Sequence, residues 1–153
     1  MTLPPDWNKS LYAPPASRQT ARPKKRVFLS FRAEDRQQVQ GLRLLAANPD
    51  YDLEFYDESV RVAIDSHSAE YVKRVIRDKI SRSSVTVCLI GPLTYTSAWV
   101  DWELSESASK GNKIIAMALK DVTSVFLPEY FRVRDNRFWY WDPAKLKELI
   151  END

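Results

Sequence analysis

The stretch TSAWVDWELSES, residues 96–107, places two tryptophans and three carboxylates in what should be one helix. A helix that packs on a sheet needs an apolar stripe, and carboxylates beside tryptophan do not contribute to it. A carboxylate held next to an aromatic ring can instead stabilise a positive charge that develops during a reaction. The first question is therefore which of the three acids has a structural explanation.

Two of these acids, Asp101 and Glu106, have ordinary structural explanations. Glu106 is followed four residues later by Lys110, a spacing that predicts a surface ion pair. Asp101 lies in the first helical turn, where a negative charge interacts favourably with the helix dipole. Glu103 has no basic residue at i±3 or i±4, and Trp99 lies one turn before it. Glu103 is therefore the candidate functional acid, although solvent exposure or an arginine from another element would also explain it.

Short strand-like runs alternate with helical patterns along the chain. The strand-like runs are mostly apolar without strict alternation, and they cover residues 26–31, 53–57, 84–91, 113–119 and 137–141. Four helices are predicted. The first covers residues 33–47, and the second follows Ser68, which would be its N-cap. The third covers about 97–110 with Gly111 as its C-cap, and the fourth begins at Pro143. Strands buried on both faces are typical of a parallel sheet covered by helices. The sequence therefore predicts a three-layer α/β, flavodoxin-like fold with a mostly parallel five-stranded sheet.

The predicted sheet also tells where a ligand should bind. Parallel α/β sheets bind ligands at the carboxyl ends of their strands. The segments that follow the strands are residues 31–35, 57–68, 91–103 and 120–136. Glu103 and Trp99 fall within the third of these segments.

Charge and composition divide the chain into a leader, residues 1–25, and one domain, residues 26–153. The leader is rich in proline and shows no sustained period, so we expect it to be mostly disordered. Residues 1–26 carry six Lys/Arg and one Asp (+5), which leaves 17 basic and 20 acidic residues (−3) for the rest. The domain therefore lacks the basic balance of a nucleic-acid-binding protein. No apolar run is long enough to span a membrane, and the single cysteine suits the reducing cytoplasm.

Several kinds of site are excluded by the residues that the chain lacks. Three glycines cannot form the glycine-rich loop of a dinucleotide or P-loop site, and one histidine, His67, cannot form a histidine-rich metal site. A Cys88–His67 nucleophilic pair is formally available, but a cysteine inside an apolar strand is usually a buried filler. A phosphoacceptor receiver has acids after its first strand, as Glu34 and Asp35 are here. It also needs an acid after the third strand, where this chain reads LIGPLT.

The motifs RVFLSF at 26–31, SSVTVCLIG at 83–91 and W-x-x-x-E at 99–103, in this combination, resemble the TIR-like domains. More closely they resemble the Thoeris-type bacterial antiphage TIR proteins, over about residues 26–119. The resemblance implies a TIR-like fold for the domain at 26–153. It also implies a cytoplasmic enzyme that cleaves NAD+ at the nicotinamide–ribose bond.

The resemblance further assigns residues to roles. Glu103 corresponds to the catalytic glutamate of the family. The residues expected to bind NAD+ are Ser30, Phe31, Arg32, Asp57 and Trp99. NAD+ is then a substrate and no cofactor or metal is expected. The expected partner is a separate effector protein that reads a diffusible nucleotide signal, and homo-oligomerisation is left open. Val100 stands where many TIR proteins have a cysteine, so covalent chemistry at that position is not expected.

The expected chemistry needs only one acid. Nicotinamide leaves as a neutral molecule from a cationic pyridinium, so one carboxylate can stabilise the oxocarbenium-like ribose without a general acid. Attack by water gives ADP-ribose, and attack by the folded-back adenosine end gives a cyclic product; the sequence leaves both open. A TIR interaction module without activity and an NAD-binding sensor are the alternatives. Arg32 suits a pyrophosphate, but an ion pair with Asp35 or Glu34 explains it equally well.

Overall fold

A computed structural model of the protein describes residues 25–39, 41, 51–54 and 62–152. The strands in these ranges are β1 (Lys25–Phe31), β2 (Tyr51–Glu54), β3 (Val85–Ile90) and β4 (Lys113–Ala118). The helices are α1 (Ala69–Ser81), α2 (Ala98–Ser109), α3 (Glu129–Arg132) and α4 (Pro143–Glu151). Short 3-10 helices cover Ala33–Asp35 and Thr94–Thr96. In these ranges no helix combines the length and the apolar character needed to cross a bilayer.

The four strands form one parallel sheet in the order β2-β1-β3-β4. The strand β3 lies at its centre and all six of its residues are buried, as its β-branched, uncharged sequence predicts. In the register between β1 and β3, Ser30 lies opposite Cys88. The predicted α/β architecture with a parallel sheet is therefore confirmed, and the carboxyl ends of β1 and β3 meet at one edge.

Helices cover both faces of the sheet. One face packs alternate strand residues such as Leu29 and Val87 against Leu146 and Ile150 of α4. The other face packs against α1 and α2 in two clusters. One cluster is centred on Phe28, and the other contains Cys88 and Ile90. Since neighbouring residues of a strand point to opposite faces, the two sides of β1 belong to different layers.

The fifth predicted strand, residues 137–141, is reduced to a single residue. Trp139 forms one parallel bridge with Met117 beside β4, and its backbone bonds to Ala116 and Ala118. The chain then turns away, because Asp142 caps α4 by accepting a hydrogen bond from the Lys145 N–H at 3.0 Å. The sheet of the described residues therefore has four strands and one bridge, so the prediction of five full strands is wrong.

The predicted bounds of α2 and the predicted start of α4 agree with the structure, and the end of the helix predicted at 33–47 lies outside the described residues. The Ser97 side chain caps α2 by accepting from the Val100 N–H at 3.1 Å, and Gly111 follows α2 with a φ of +82°. Ser68 precedes α1 as predicted, but its side chain accepts no bond from the helix. Its own φ and ψ are helical, −72° and −13°, whereas a capping side chain needs an extended backbone.

Candidate active site at the carboxyl edge of the sheet

The helix α2 begins at the carboxyl edge of the sheet and runs back across it. Its residue Ser107 accepts a buried hydrogen bond from the Thr86 hydroxyl of β3 at 2.8 Å. Glu103 lies one turn closer to the helix start, and Cys88 is the next residue of β3 on the same face. Glu103 therefore faces the sheet at the level of Cys88 and its register partner Ser30.

The Glu103 side chain is buried, with 1% of its surface exposed. On α2 it lies between Trp99, which packs in the cluster of Phe28, and the pair Val100 and Leu104, which pack in the cluster of Cys88 on the same face. No other acidic residue in the described ranges is classed as buried. Burying a carboxylate costs free energy that a surface position would avoid, so this one position requires an explanation that the other acids do not.

Trp99 is part of the packing around Glu103. Its indole N–H donates to the Val62 carbonyl at 2.8 Å, and its ring meets Trp102 edge to face with centroids 5.7 Å apart. It is 7% exposed and packs with Ile76 and Val72 of α1. Trp99 thus joins α2 to α1 and to the segment that enters α1, which is a structural role.

Ser30 and Phe31 end β1 on opposite faces of the sheet. Ser30 shares its face with Phe28 and Glu103, is fully buried, and its hydroxyl has no hydrogen-bond partner among the described residues. Phe31 lies in the cluster on the other face, with the α4 residues. The structure therefore brings Ser30 and Trp99 to the side of Glu103 and places Phe31 on the reverse side.

Arg32 lies just past β1 at the same edge. Its Nε is 3.3 Å from a carboxylate oxygen of Glu34, and its side chain is 28% exposed. The ion pair is one of the two that the sequence offered as the alternative to a pyrophosphate contact. Asp57 lies outside the described residues.

The edge also holds an acid that sequence reasoning did not select, Asp35. Its carboxylate packs directly over Gly91, the residue that follows β3. The Thr94 hydroxyl links the two, because it accepts from the Gly91 N–H at 2.8 Å and donates to Asp35 Oδ2 at 3.4 Å. Burial raises the pKa of the Asp35 carboxyl, and the Arg32 guanidinium and Thr94 hydroxyl oppose part of that rise.

The sequence feature that could have identified this cluster is the position of its residues after the strands. Asp35 follows the first strand and Gly91 follows the third, and both ends lie at the edge that parallel sheets use for ligands. Sequence reasoning weighed Asp35 only as a receiver acid or as an ion-pair partner of Arg32. A glycine directly after a buried strand also indicates that another group approaches the backbone there.

The two acids with ordinary explanations have structural roles. Asp101 Oδ1 accepts from the Tyr130 N–H at 3.1 Å, which connects α2 to the start of α3. Burial raises the pKa of the Asp101 carboxyl, and the bond from Tyr130 lowers it in part. Glu106 forms its ion pair with Arg77 of α1 at 3.5 Å, and not with Lys110 as the spacing predicted. The neighbouring helix supplied a cation that a single-helix pattern does not reveal.

The structure excludes a Cys88–His67 nucleophilic pair. Cys88 is fully buried in β3, and burial, followed by the nearby Glu103 and Asp101 charges, raises the pKa of its thiol well above the ordinary value. His67 is exposed in the turn before α1. Within the described ranges, no three His, Cys, Asp or Glu side chains are grouped to hold a metal ion.

Residues 28–124 match the family model of the Thoeris protein ThsB, TIR-like domain. A Bacillus cereus (strain MSX-D12) protein named "Putative cyclic ADP-D-ribose synthase ThsB1" is 43% identical over 53 residues. That match covers 33% of this chain and 28% of the relative's length.

Two solved structures share the fold at low sequence identity. The Clostridium botulinum CMP N-glycosidase BcmB is 18% identical with a TM-score of 0.51, covering 82% of this chain and 98% of its own. A 2-deoxyribosyltransferase from Bacillus psychrosaccharolyticus is 15% identical with a TM-score of 0.53, covering 84% of this chain and 92% of its own. At these identities the likeness establishes the α/β fold alone.

Proposed function

The chain belongs to the family of Thoeris ThsB TIR-like domains, and on this premise we propose that it cleaves NAD+ at the nicotinamide–ribose bond with Glu103 as the catalytic carboxylate. Ser30 and Trp99 would form the surroundings of the ribose, and Arg32 would exchange Glu34 for the pyrophosphate. The proposed product is a cyclic ADP-ribose-type nucleotide, in line with the name of the Bacillus cereus relative.

The burial of Glu103 is the observation that carries the proposal. This carboxylate is 1% exposed and lies on the face of the parallel sheet that also buries the Ser30 hydroxyl, near the carboxyl ends of the strands. In a site that excludes water, a fixed negative charge acts far more strongly on a developing cation than it does at the surface. The other acids of α2 do not combine burial with this position.

The chemistry can be written with this single acid. The bond between the nicotinamide nitrogen and the anomeric carbon breaks, and its electron pair leaves with the nitrogen, so that nicotinamide departs neutral. The positive charge passes to the ribose, where the Glu103 carboxylate stabilises it. A hydroxyl or a ring nitrogen of the adenosine end then bonds to the anomeric carbon and closes the ring. A hydroxyl releases its proton to solvent, whereas a ring nitrogen takes up the positive charge. Water, if admitted, bonds to the same carbon and gives ADP-ribose and a proton.

The same burial restricts access to the site. A carboxylate that is 1% exposed can meet a ribose only after the packing around it has opened. We therefore expect slow turnover by the isolated protein and faster turnover after activation. The diffusible product would then act on a separate effector protein.

Nicotinamide release from NAD+ by the purified protein tests the proposal directly. Release should be measured by chromatography, and the nucleotide product identified by mass spectrometry. Glu103→Gln keeps the side-chain volume and removes the charge, so we expect release to fall by about 10²–10³-fold, as for loss of one electrostatic stabiliser. Glu106→Gln is the matched control, because it makes the same change on the same helix at a surface ion pair. Equal activity in the Glu103→Gln variant and the control would refute the assignment.

A second candidate function is a TIR module that binds partners or NAD+ without cleaving it. The observation that favours it is that Trp99 and Arg32 already have structural partners, Val62 and Glu34. Calorimetry with NAD+ separates the candidates. Binding without nicotinamide release, before and after exposure to lysate from infected cells, would support the sensor, and no binding would support the interaction module.

A further inference from the structure

The described residues cover only part of the outer edge of β4. Lys113 and Leu119 donate their N–H groups to carbonyls on the β3 side, at Ser84 and Ile90. Since backbone groups alternate along a strand, the even-numbered residues of β4 direct theirs to the outer side. Trp139 uses two of these outer groups, the Ala116 carbonyl and the Ala118 N–H, at 2.9 and 2.8 Å.

Three outer backbone groups of β4 remain on the amino side of the Trp139 bridge. They are the N–H and carbonyl of Ile114 and the N–H of Ala116, and they make no hydrogen bond to the described residues outside the sheet ladder. Backbone donors and acceptors of an exposed edge are a template for another strand. Among the described residues, the edge is thus unpaired on the amino side of Trp139 over about two residues' length. Ile114 is partly exposed there, and Ala116 is 3% exposed.

A cleft of about 280 Å³ lies against this open edge. It is lined by residues 113–116, by the aromatic side chains of Tyr130, Phe131 and Trp139, and by Arg134 and Arg137. Its volume lies just below the range of about 300–1,000 Å³ that is typical of small-molecule pockets. A short extended segment that hydrogen-bonds the edge fits this shape better than a bulky ligand does.

The charges in the cleft favour an acidic segment. Its lining contains three cations, Lys113, Arg134 and Arg137, and one anion, Asp135. The Lys113 ammonium donates to the Leu149 and Asn152 carbonyls, so the two arginines are the cations that could meet a ligand. Arg134 is held on the wall of the cleft, because its guanidinium lies 4.0 Å from the Tyr130 ring centroid and donates to the Tyr130 carbonyl. Arg137 is 75% exposed, and its Nε lies 3.7 Å from Asp135 Oδ2 in a surface ion pair. Such a pair contributes little free energy, so Arg137 can exchange Asp135 for another carboxylate.

We propose that the open edge of β4 binds an extended acidic segment of a partner protein, which adds to the sheet as a short strand. The edge would supply main-chain hydrogen bonds, and the two arginines would select carboxylates. None of the residues that line the cleft belongs to the candidate active site, so the proposal does not depend on the proposed function.

Peptide binding to the full-length protein tests the proposal. The probe is a fluorescein-labelled, end-blocked heptapeptide of alternating Glu and Val, followed by fluorescence anisotropy. We expect it to bind at least about tenfold more tightly than the Lys–Val counterpart and than the same acidic peptide with alternate backbone amides methylated. The first comparison tests the charge and the second tests the strand-like hydrogen bonds.

Charge-reversal variants locate the binding site. Arg134→Glu with Arg137→Glu should weaken the acidic peptide at least about tenfold. Arg74→Glu with Lys110→Glu changes the same net charge on the exposed surface of the α1 and α2 layer and should leave binding unchanged. Circular dichroism confirms that each variant folds. Hydrogen exchange at Ile114 and Ala116 should slow at least about tenfold when the peptide is bound, because the edge amides become bonded.

Several results would overturn the proposal. They are equal binding of the acidic and basic peptides, no loss on amide methylation, and unchanged exchange at Ile114 and Ala116. Failure of the acidic peptide to bind would also overturn it. Self-association of the protein that disappears in the Arg134→Glu/Arg137→Glu variant, without peptide binding, would assign the edge to a second copy instead.

Discussion

Gly91→Ala tests whether the Asp35 cluster at the carboxyl edge is as tightly packed as the structure shows. A Cβ at this position would lie 2.3 Å from Asp35 Oδ2 and 2.6 Å from both Cγ and Oδ1. Real contacts of this kind do not occur, so the carboxylate must move and leave the Thr94 hydroxyl. Gly91 does not have a positive φ, so backbone strain does not contribute. Overpacking costs about 1–3 kcal/mol of unfolding free energy. Because the group that must move is the end of the half-buried Asp35 side chain, we expect a cost near the lower value.

The expected effect is large enough for thermal unfolding to detect. For a chain of this size, each kcal/mol lowers the Tm by about 2–4 °C, so a cost near 1 kcal/mol should lower it by about 2–4 °C. The control is a double-mutant cycle with Asp35→Ala, which removes the carboxylate that the new methyl group would meet. In that background, Gly91→Ala should cost less than about 0.5 kcal/mol.

Two outcomes would refute this reasoning. If Gly91→Ala leaves the Tm unchanged, the carboxylate does not pack over Gly91 as described. If the substitution costs the same with and without Asp35, the two residues are not coupled, and the loss has another origin. Chemical denaturation should give the same ranking of the four proteins as heating does.

Three further predictions concern Asp35, Trp99 and Cys88. Burial raises the pKa of the Asp35 carboxyl in the folded protein above its value in the unfolded chain. The contribution of Asp35 to the unfolding free energy therefore falls as pH rises from the unfolded to the folded pKa. Asp35→Asn should flatten that part of the Tm–pH curve, and an unchanged curve would contradict the shift. Trp99→Phe removes the 2.8 Å bond to Val62 and leaves that carbonyl unsatisfied, so it should destabilise by about 1–3 kcal/mol in urea unfolding, whereas a neutral effect would show that the bond contributes nothing. Cys88 should react with iodoacetamide only when the protein is unfolded, and rapid labelling of the native protein would contradict its burial.

The architecture was accessible from the sequence because its signals are local and repeated. The buried run at 85–90 and Gly111 after α2 are each determined by neighbouring residues, and the structure confirms them. The resemblance to Thoeris TIR-like domains, which depended on combined motifs, is confirmed by the family match. The fifth strand failed because the Asp142 cap ends the extended segment almost as soon as it begins.

The candidate site was accessible only in part, because its features depend on contacts between elements. Spacing on one helix singled out Glu103, and no single-helix pattern could show that its side chain is buried against the sheet. The ion pair of Glu106 with Arg77 joins two helices, so spacing within α2 predicted the wrong cation. The Asp35–Thr94 contact joins residues 59 positions apart, and only the sheet brings them together.

Because of the Trp99 contacts, substitutions at the two residues of the W-x-x-x-E motif should have different effects on protein abundance in cells. Loss of Trp99 removes a join between two helices, so its variants should be depleted in cells and partly rescued at lower growth temperature. Conservative variants of Glu103 that keep its volume should accumulate normally and still lack function. A screen that scores function alone would group the two positions together, and measuring protein abundance alongside it would separate them.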